Sequence, residues 1–313
     1  MKTYKNLSEF KGAPNAVITT GTFDGVHLGH QKIIQQLVSL AKEKQGESIV
    51  FTFDPHPRHV IFPDDDQLKL LHNWEEKAAE LEKLGVDHLI IHPFSLEFSR
   101  ISATDYIRDI LVATLQAKHL IVGYDHQFGR NREGDFGFLQ EAQETYGFQV
   151  YEIPALDIDE VNVSSTKIRR ALAEGQVDLA QQYLSRPYSL HGTVVQGNKI
   201  GTGIGFPTAN LKPSFKYKLI PQTGVYAVEV ERLKDNTVHK GVMNIGYRPT
   251  INETNPSLHL EVHLLDFSDN LYDENLRVRF IQQLRREKKF DSFDALKSQI
   301  AEDVKQAVEC MKV

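Results

Sequence analysis

A-V-I-T-T-G-T-F-D-G-V-H-L-G-H, residues 16–30, decides how the first half of the chain is read. The apolar run 16–20 has the length and composition of a buried strand. It passes without interruption into a turn, Gly21, Thr22, Phe23 and Asp24, and then into an amphipathic stretch over 31–44. Strand, glycine turn and helix start, in that order, aim backbone N–H groups and the positive end of a helix dipole at one place, where an anion binds. His27 and His30 are three apart and share a helix face, and Gly29 between them has no side chain to block an approaching nucleotide. Nucleotidyl transfer to an acceptor phosphate needs no protein nucleophile; it needs donors for the charge growing on the α-phosphate and the leaving pyrophosphate, and imidazole N–H groups supply them. Two simpler readings stay open: ordinary surface histidines, or a zinc site shared with His56 and His59 of D-P-H-P-R-H.

Outward from this stretch, strand-like runs at 48–53, 88–92, 119–122 and 148–153 alternate with helical periodicity. Asn73 with Glu76 three residues on has the spacing of a capping box, Gly85 stops that helix, and Ser102 with Asp105 starts another. The alternation predicts an α/β fold, a parallel doubly wound sheet. Two short helices follow, 164–173 and 177–184. The first opens with V-S-S-T-K-I-R-R, where the hydroxyls of Ser164, Ser165 and Thr166 can donate to phosphate oxygens while Lys167 or Arg169 balances charge.

Arg186-Pro187 then breaks helical continuity, and from residue 188 the period becomes two. Runs at 190–195, 224–231, 239–245, 258–265 and 276–281 read as the strands of a small antiparallel barrel, and 292–311 as a closing helix. The boundary is expected near residue 185. Charge changes there too: residues 1–185 carry 18 basic against 27 acidic side chains and residues 186–313 carry 18 against 15.

The barrel half holds G-T-V-V-Q-G-N-K-I-G-T-G-I-G-F-P-T-A-N-L, residues 192–211. Gly197, Gly201, Gly203 and Gly205 permit backbone N–H groups to wrap a polyphosphate, and the hydroxyl of Thr208 and the amide of Asn210, after Pro207, suit Mg²⁺. Glu261 stands mid-strand among apolar residues, either as a general base or as an edge glutamate facing water.

Bulk properties narrow the classes. A net charge of −6 with pI about 6.1 removes the basic field of a nucleic-acid binder. No apolar run approaches the roughly 20 residues of a membrane helix and the N-terminus lacks a signal-peptide core, so a cytoplasmic chain without a membrane partner is expected. Cys310, the single cysteine, excludes a disulfide framework or thiolate metal cluster.

The pair G-T-F-D-G-V-H-L-G-H and S-S-T-K-I-R resembles the H-x-G-H nucleotidyltransferase superfamily, with a Rossmann-like domain. D-P-H-P at 54–57 and V-G-Y-D-H-Q-F-G at 122–129 resemble its prokaryotic FAD synthetase branch. The resemblance implies that Gly21 to Asp24, His27, Gly29 and His30 bind ATP, and that Asp54 and Asp125 border the FMN site. His126 stands where an aromatic residue is expected. The glycine-rich stretch, G-V-Y at 224–226, N-I-G-Y-R-P-T at 244–250 and the Glu261 strand together look like riboflavin kinase, whose family fold is a six-stranded barrel. That resemblance implies Mg²⁺-ATP on Thr208 and Asn210, Glu261 as base, and riboflavin near Asn244, Arg248, Arg285 and Phe290; Thr202 replaces a common arginine. Spanning the whole chain, it implies ATP, riboflavin, FMN and FAD as substrates and products; a monomer or weak homo-oligomer is expected. Two alternatives remain: a transferase for another phosphorylated acceptor with a non-catalytic flavin-binding barrel, and a non-enzymatic flavin-binding protein.

Overall fold

Five of the runs expected as strands pair in parallel, joined at one edge by a sixth. In the computed structural model they are β1 (Lys2–Tyr4), β2 (Val17–Thr20), β3 (Ser48–Phe53), β4 (His88–His92), β5 (His119–Gly123) and β6 (Gln149–Ile153), in the order β1-β4-β3-β2-β5-β6. The structure describes residues 1–64, 67–154, 163–197, 205–248 and 257–312. The central strands are buried along almost their whole length because helices cover both faces of the sheet. On one face, Ile34, Leu37 and Ala41 of α1 (Leu28–Glu43) meet Val17, Val50 and Leu89; on the other, Ile107, Leu111 and Leu139 meet Ile18, Ile49 and Leu120. After the short helix α2 (Pro57–Ile61) comes α3 (Trp74–Lys83), which opens on the Asn73–Glu76 capping box with both reciprocal bonds made. Ser102 caps the next turn, and the chain continues as a wide, π-type helix, Tyr106–Thr114.

Strand order reverses at β2, between β3 and β5. A crevice therefore opens beyond the carboxyl ends of β2 and β5, where doubly wound sheets bind their ligands.

The second unit is a closed barrel of six antiparallel strands: β7 (Tyr188–Val195), β8 (Ala209–Pro213), β9 (Gly224–Arg232), β10 (Val238–Arg248), β11 (Ser257–Leu264) and β12 (Asn275–Arg285), ordered β10-β11-β8-β7-β12-β9. Five were legible from period two; β8 begins inside the P-T-A-N-L motif and runs on to Pro213. A C-terminal helix, Phe293–Cys310, lays Val304 and Ala307 against Val225, Ala227 and Val242.

By compactness the chain divides between Ser165 and Thr166. The helices Ser165–Ala173 and Val177–Leu184 thus precede the barrel within its unit, apart from Ser165 itself. The second packs on β7 and β12, the Leu172 carbonyl accepts the Gln222 N–H at 2.9 Å, and Gly175 sits so close to the Gln283 amide that a Cβ would come within 2.5 Å of it.

A fragment beginning at Arg186 loses the buried Leu172, Val177 and Leu184, about 5 kcal/mol of apolar burial. It is expected to melt about 10 °C below a fragment beginning at Ser164. Equal melting temperatures in calorimetry would show that the helix pair does not support the barrel.

Candidate active sites

The turn after β2 is wound by backbone that few side chains adopt. Phe23 (φ 46°), Gly25 (φ 89°) and Val26 (φ 41°) all have positive φ. For a β-branched valine this is an outlier, costing about 1–3 kcal/mol. The surroundings hold it: the Asp24 carboxylate, 4% exposed, accepts N–H bonds from Leu71 at 3.0 and 3.2 Å and from His72 at 3.2 Å. The Asp24 carbonyl accepts the Ser165 hydroxyl at 2.8 Å, tying Ser165 to the turn.

His27 is the N-cap of α1, its Nδ1 accepting the His30 N–H at 3.3 Å, and the two rings stack with centroids 3.7 Å apart. His30 is partly buried, and its buried Nδ1 has no hydrogen-bond partner among the described residues. Burial, then the neighbouring His27 and Lys77, hold its pKa well below the ordinary imidazole value. It is a neutral ring with polar capacity to spare.

The crevice is a cleft of about 1340 Å³, room for more than one nucleotide-sized molecule. Gly21, Thr22, Phe23, His30 and Asp125 of the expected residues line it, and Asp24, His27, Gly29 and Asp54 lie outside its wall. Asp24 serves the turn from behind, and the Asp54 N–H is bonded to the His92 carbonyl at 3.1 Å. Thr166 and Arg169 fall in the second unit. His56 caps α2 with its Nδ1, and His59 Nε2 lies 2.8 Å from the Leu68 carbonyl. Among the described residues no group of three or more His, Cys, Asp or Glu is placed to hold a metal ion.

In the barrel, strand pairing sets Asn210 of β8 opposite Glu261 of β11, and Glu261 opposite Asn244 of β10. Three polar side chains thus stand in one cross-strand row. The Thr208 hydroxyl donates to Glu261 Oε2 at 3.4 Å, and Pro207 offers its carbonyl to His263 Nδ1 at 2.7 Å. Glu261 shares its strand face with the partly exposed His259 and His263, while Leu260, Val262 and Leu264 are buried. A Cβ on Gly197 would lie 2.0 Å from Asn210 Nδ2, so only glycine leaves that amide where it is. Gly205, at φ 88°, is described; Gly201, Thr202, Gly203 and the Arg248 side chain lie outside the described residues. Arg285 is held by Asp303 of the C-terminal helix, three bonds of 2.8 to 3.1 Å, with the Phe290 ring 5.6 Å from its guanidinium carbon.

Residues 10–167 match the family model described as FAD synthetase and residues 184–311 the one described as riboflavin kinase. The bifunctional riboflavin kinase/FMN adenylyltransferase of Haemophilus influenzae is 41% identical, the match covering 93% of this chain and 92% of that one. The chain belongs to this family. The Escherichia coli K12 protein of the same name is 38% identical over 97% of this chain and 96% of its own. The crystal structure of a Streptococcus pneumoniae protein titled as a macrolide-efflux protein is similar across 98% of both chains, with 28% identity and a TM-score of 0.88. Among the described residues no helix is long and apolar enough to cross a membrane.

Seen as a member of this family, the chain has a cleft wall that sequence reading missed. Phe53, Phe98, Tyr106 and Phe128 line it, and the Tyr106 hydroxyl meets Thr20 Oγ1 at 3.0 Å. Such aromatics read as core in a sequence, and most of them are core as well. Arg58, Arg130 and Arg132 add positive charge to the wall. Burial lowers His126 to about 4, against the pull of Asp125, and lowers His92.

His30, His92 and His126 are all less basic folded than unfolded. The unfolded chain therefore binds more protons at acid pH, and stability present above about pH 6.5 is lost as pH falls toward 4. The melting temperature of the first unit should drop between pH 7 and pH 5, and the drop should shrink in His126→Phe. A flat profile over that range would mean that these rings are solvated.

Proposed function

We propose that the chain makes FAD from riboflavin in two ATP-dependent steps, the barrel phosphorylating riboflavin to FMN and the first unit transferring AMP to FMN with release of pyrophosphate. The observation that carries this reading is the cross-strand row of Asn210, Glu261 and Asn244, with Thr208 beside it, in the same chain as the His27–His30 turn. In this reading the adenylyltransferase part of the chain runs to about residue 185, although its last two helices pack with the barrel, and each part holds its own ATP site.

In the kinase step Glu261 takes the proton of the riboflavin 5′-hydroxyl as its oxygen attacks the γ-phosphorus, and ADP leaves. Hydroxyl, amide and carboxylate oxygens at Thr208, Asn210 and Glu261 are hard donors that fit Mg²⁺. Thr208 and Asn210 would hold it, and when bound it neutralises charge on the phosphate oxygens. Gly197 keeps the Asn210 amide in place. Asn244, Arg248 and Phe290 border the flavin, while Arg285 serves by fixing the C-terminal helix beside Phe290.

In the adenylyl step a phosphate oxygen of FMN attacks the α-phosphorus of ATP and the bond to pyrophosphate breaks. Backbone N–H groups of the turn after Gly21, whose own N–H is bonded to the Phe51 carbonyl at 3.1 Å, and the neutral His30 ring donate to the oxygens where charge grows, and Ser164 and Ser165 support them. The aromatic wall and Asp125 suit the isoalloxazine of FMN. The reading takes small molecules as partners and a monomer or weak homo-oligomer working in the cytoplasm; the acidic balance speaks against a nucleic-acid partner.

Incubated with riboflavin, ATP and Mg²⁺, the protein should yield FMN and then FAD on chromatographic separation. His30→Ala should cut FAD formation by about 10²- to 10³-fold while FMN accumulates. Glu261→Gln should cut riboflavin phosphorylation by about 10²- to 10⁴-fold and spare FAD formation from supplied FMN. Loss of both activities in a folded Glu261→Gln protein would point to one shared centre and overturn the two-site reading.

A further inference from the structure

Beneath the turn lies an ammonium group that neither step above uses. Lys77, on α3, is 7% exposed. Lysine is almost never buried to that degree without partners. Its Nζ donates to Thr52 Oγ1 at 3.1 Å, and that hydroxyl, fully buried on β3, donates to the Thr22 carbonyl at 3.4 Å. A hydrogen-bonded relay therefore runs from α3 through β3 to the backbone of the phosphate-facing turn.

The charges around it are arranged to match. Asp24 on the turn and Asp54 after β3 both favour the charged ammonium. His30 on α1, with His27 stacked on it, faces the same charge and is held neutral in part by it. Glu76, next to Lys77 on α3, is bound to the Asn73 N–H at 3.0 Å.

Resting on the adenylyltransferase reading, we propose that Lys77 is a positioning residue for AMP transfer: its buried positive charge, through Thr52 and against Asp24 and Asp54, holds the 21–24 turn in the shape that presents its N–H groups to the triphosphate. A lysine placed only to fill space is better replaced by an apolar side chain, because burying an ammonium opposes folding. Its presence under this turn, bonded to a hydroxyl that reaches Thr22, is accounted for by what the charge does for the turn.

The charge can be removed without mutation. Burial pushes Lys77 down to about 8, against the support of Asp24 and Asp54, so the proton leaves just above neutrality. The folded chain is then less basic at this site than the unfolded one, and between about pH 8 and 10.5 this group makes the fold more stable as pH rises. Activity and stability thus move in opposite directions through this one group, which separates positioning from mere support.

The test follows kcat/KM for ATP in the conversion of FMN to FAD from pH 7 to 9.5, with riboflavin phosphorylation by the same sample as control; kcat/KM reports groups of the free enzyme. The FAD-forming reaction should fall about tenfold per pH unit above about pH 8, and the kinase reaction should lack that limb. Lys77→Arg should move the limb beyond pH 9.5, and Lys77→Met should lose at least about tenfold at pH 7.5 while melting no lower than the parent. A wild-type profile flat to pH 9.5, a limb unmoved in Lys77→Arg, or full FAD formation by Lys77→Met would each overturn the proposal. Should Lys77→Met fail to fold, the wild-type and Lys77→Arg profiles decide. If the wild type forms FMN but no FAD at any pH, the adenylyltransferase reading itself fails, and this inference with it.

Discussion

Asp24 is the point through which the first unit is tied together. A carboxylate taken out of water costs several kcal/mol unless it is fully hydrogen-bonded. Leu71 and His72 repay it with three N–H contacts from the segment before α3, and Ser165 reaches its carbonyl from the far end of the unit. Elements far apart in sequence converge on one residue of the turn. The positive φ values at Phe23 and Val26 survive because these bonds over-determine the backbone. The donor face that a triphosphate would meet is thus built from behind, by groups outside the cleft.

The barrel solves its positioning problem by register. Asn210, Glu261 and Asn244 share a row only because β8, β11 and β10 pair as they do; a slip of one residue would send Glu261 inward among Leu260 and Val262 and put a leucine or valine in its place. The alternation of buried and partly exposed positions along β11 fixes that register. Here the hydrophobic core places the polar row.

Legibility in the sequence followed the range of the forces involved. The Asn73–Glu76 capping box, the glycine turn and the strand runs are local, and each is found at its expected position. β1 was not legible, since three residues of mixed polarity carry no period and exist as a strand only through pairing with β4. β8 was masked by the turn chemistry of its own motif. The bond between Arg285 and Asp303 joins side chains 18 residues apart, and the sequence gives no sign that a buried aspartate waits on the helix. For Lys77 the helical position was readable, but its burial beneath the turn depends on where β3 runs.

One further consequence follows from the order of the barrel strands. β12 is the last strand made and sits between β7, the first, and β9. While the chain is being synthesised, the barrel stays open along that seam until residue 285 has been added, and Asp303, which pins Arg285, arrives later still. The sheet of the first unit, by contrast, is complete once β6 has been made. The two halves therefore mature at different moments on the ribosome, the sheet of the first unit before the barrel.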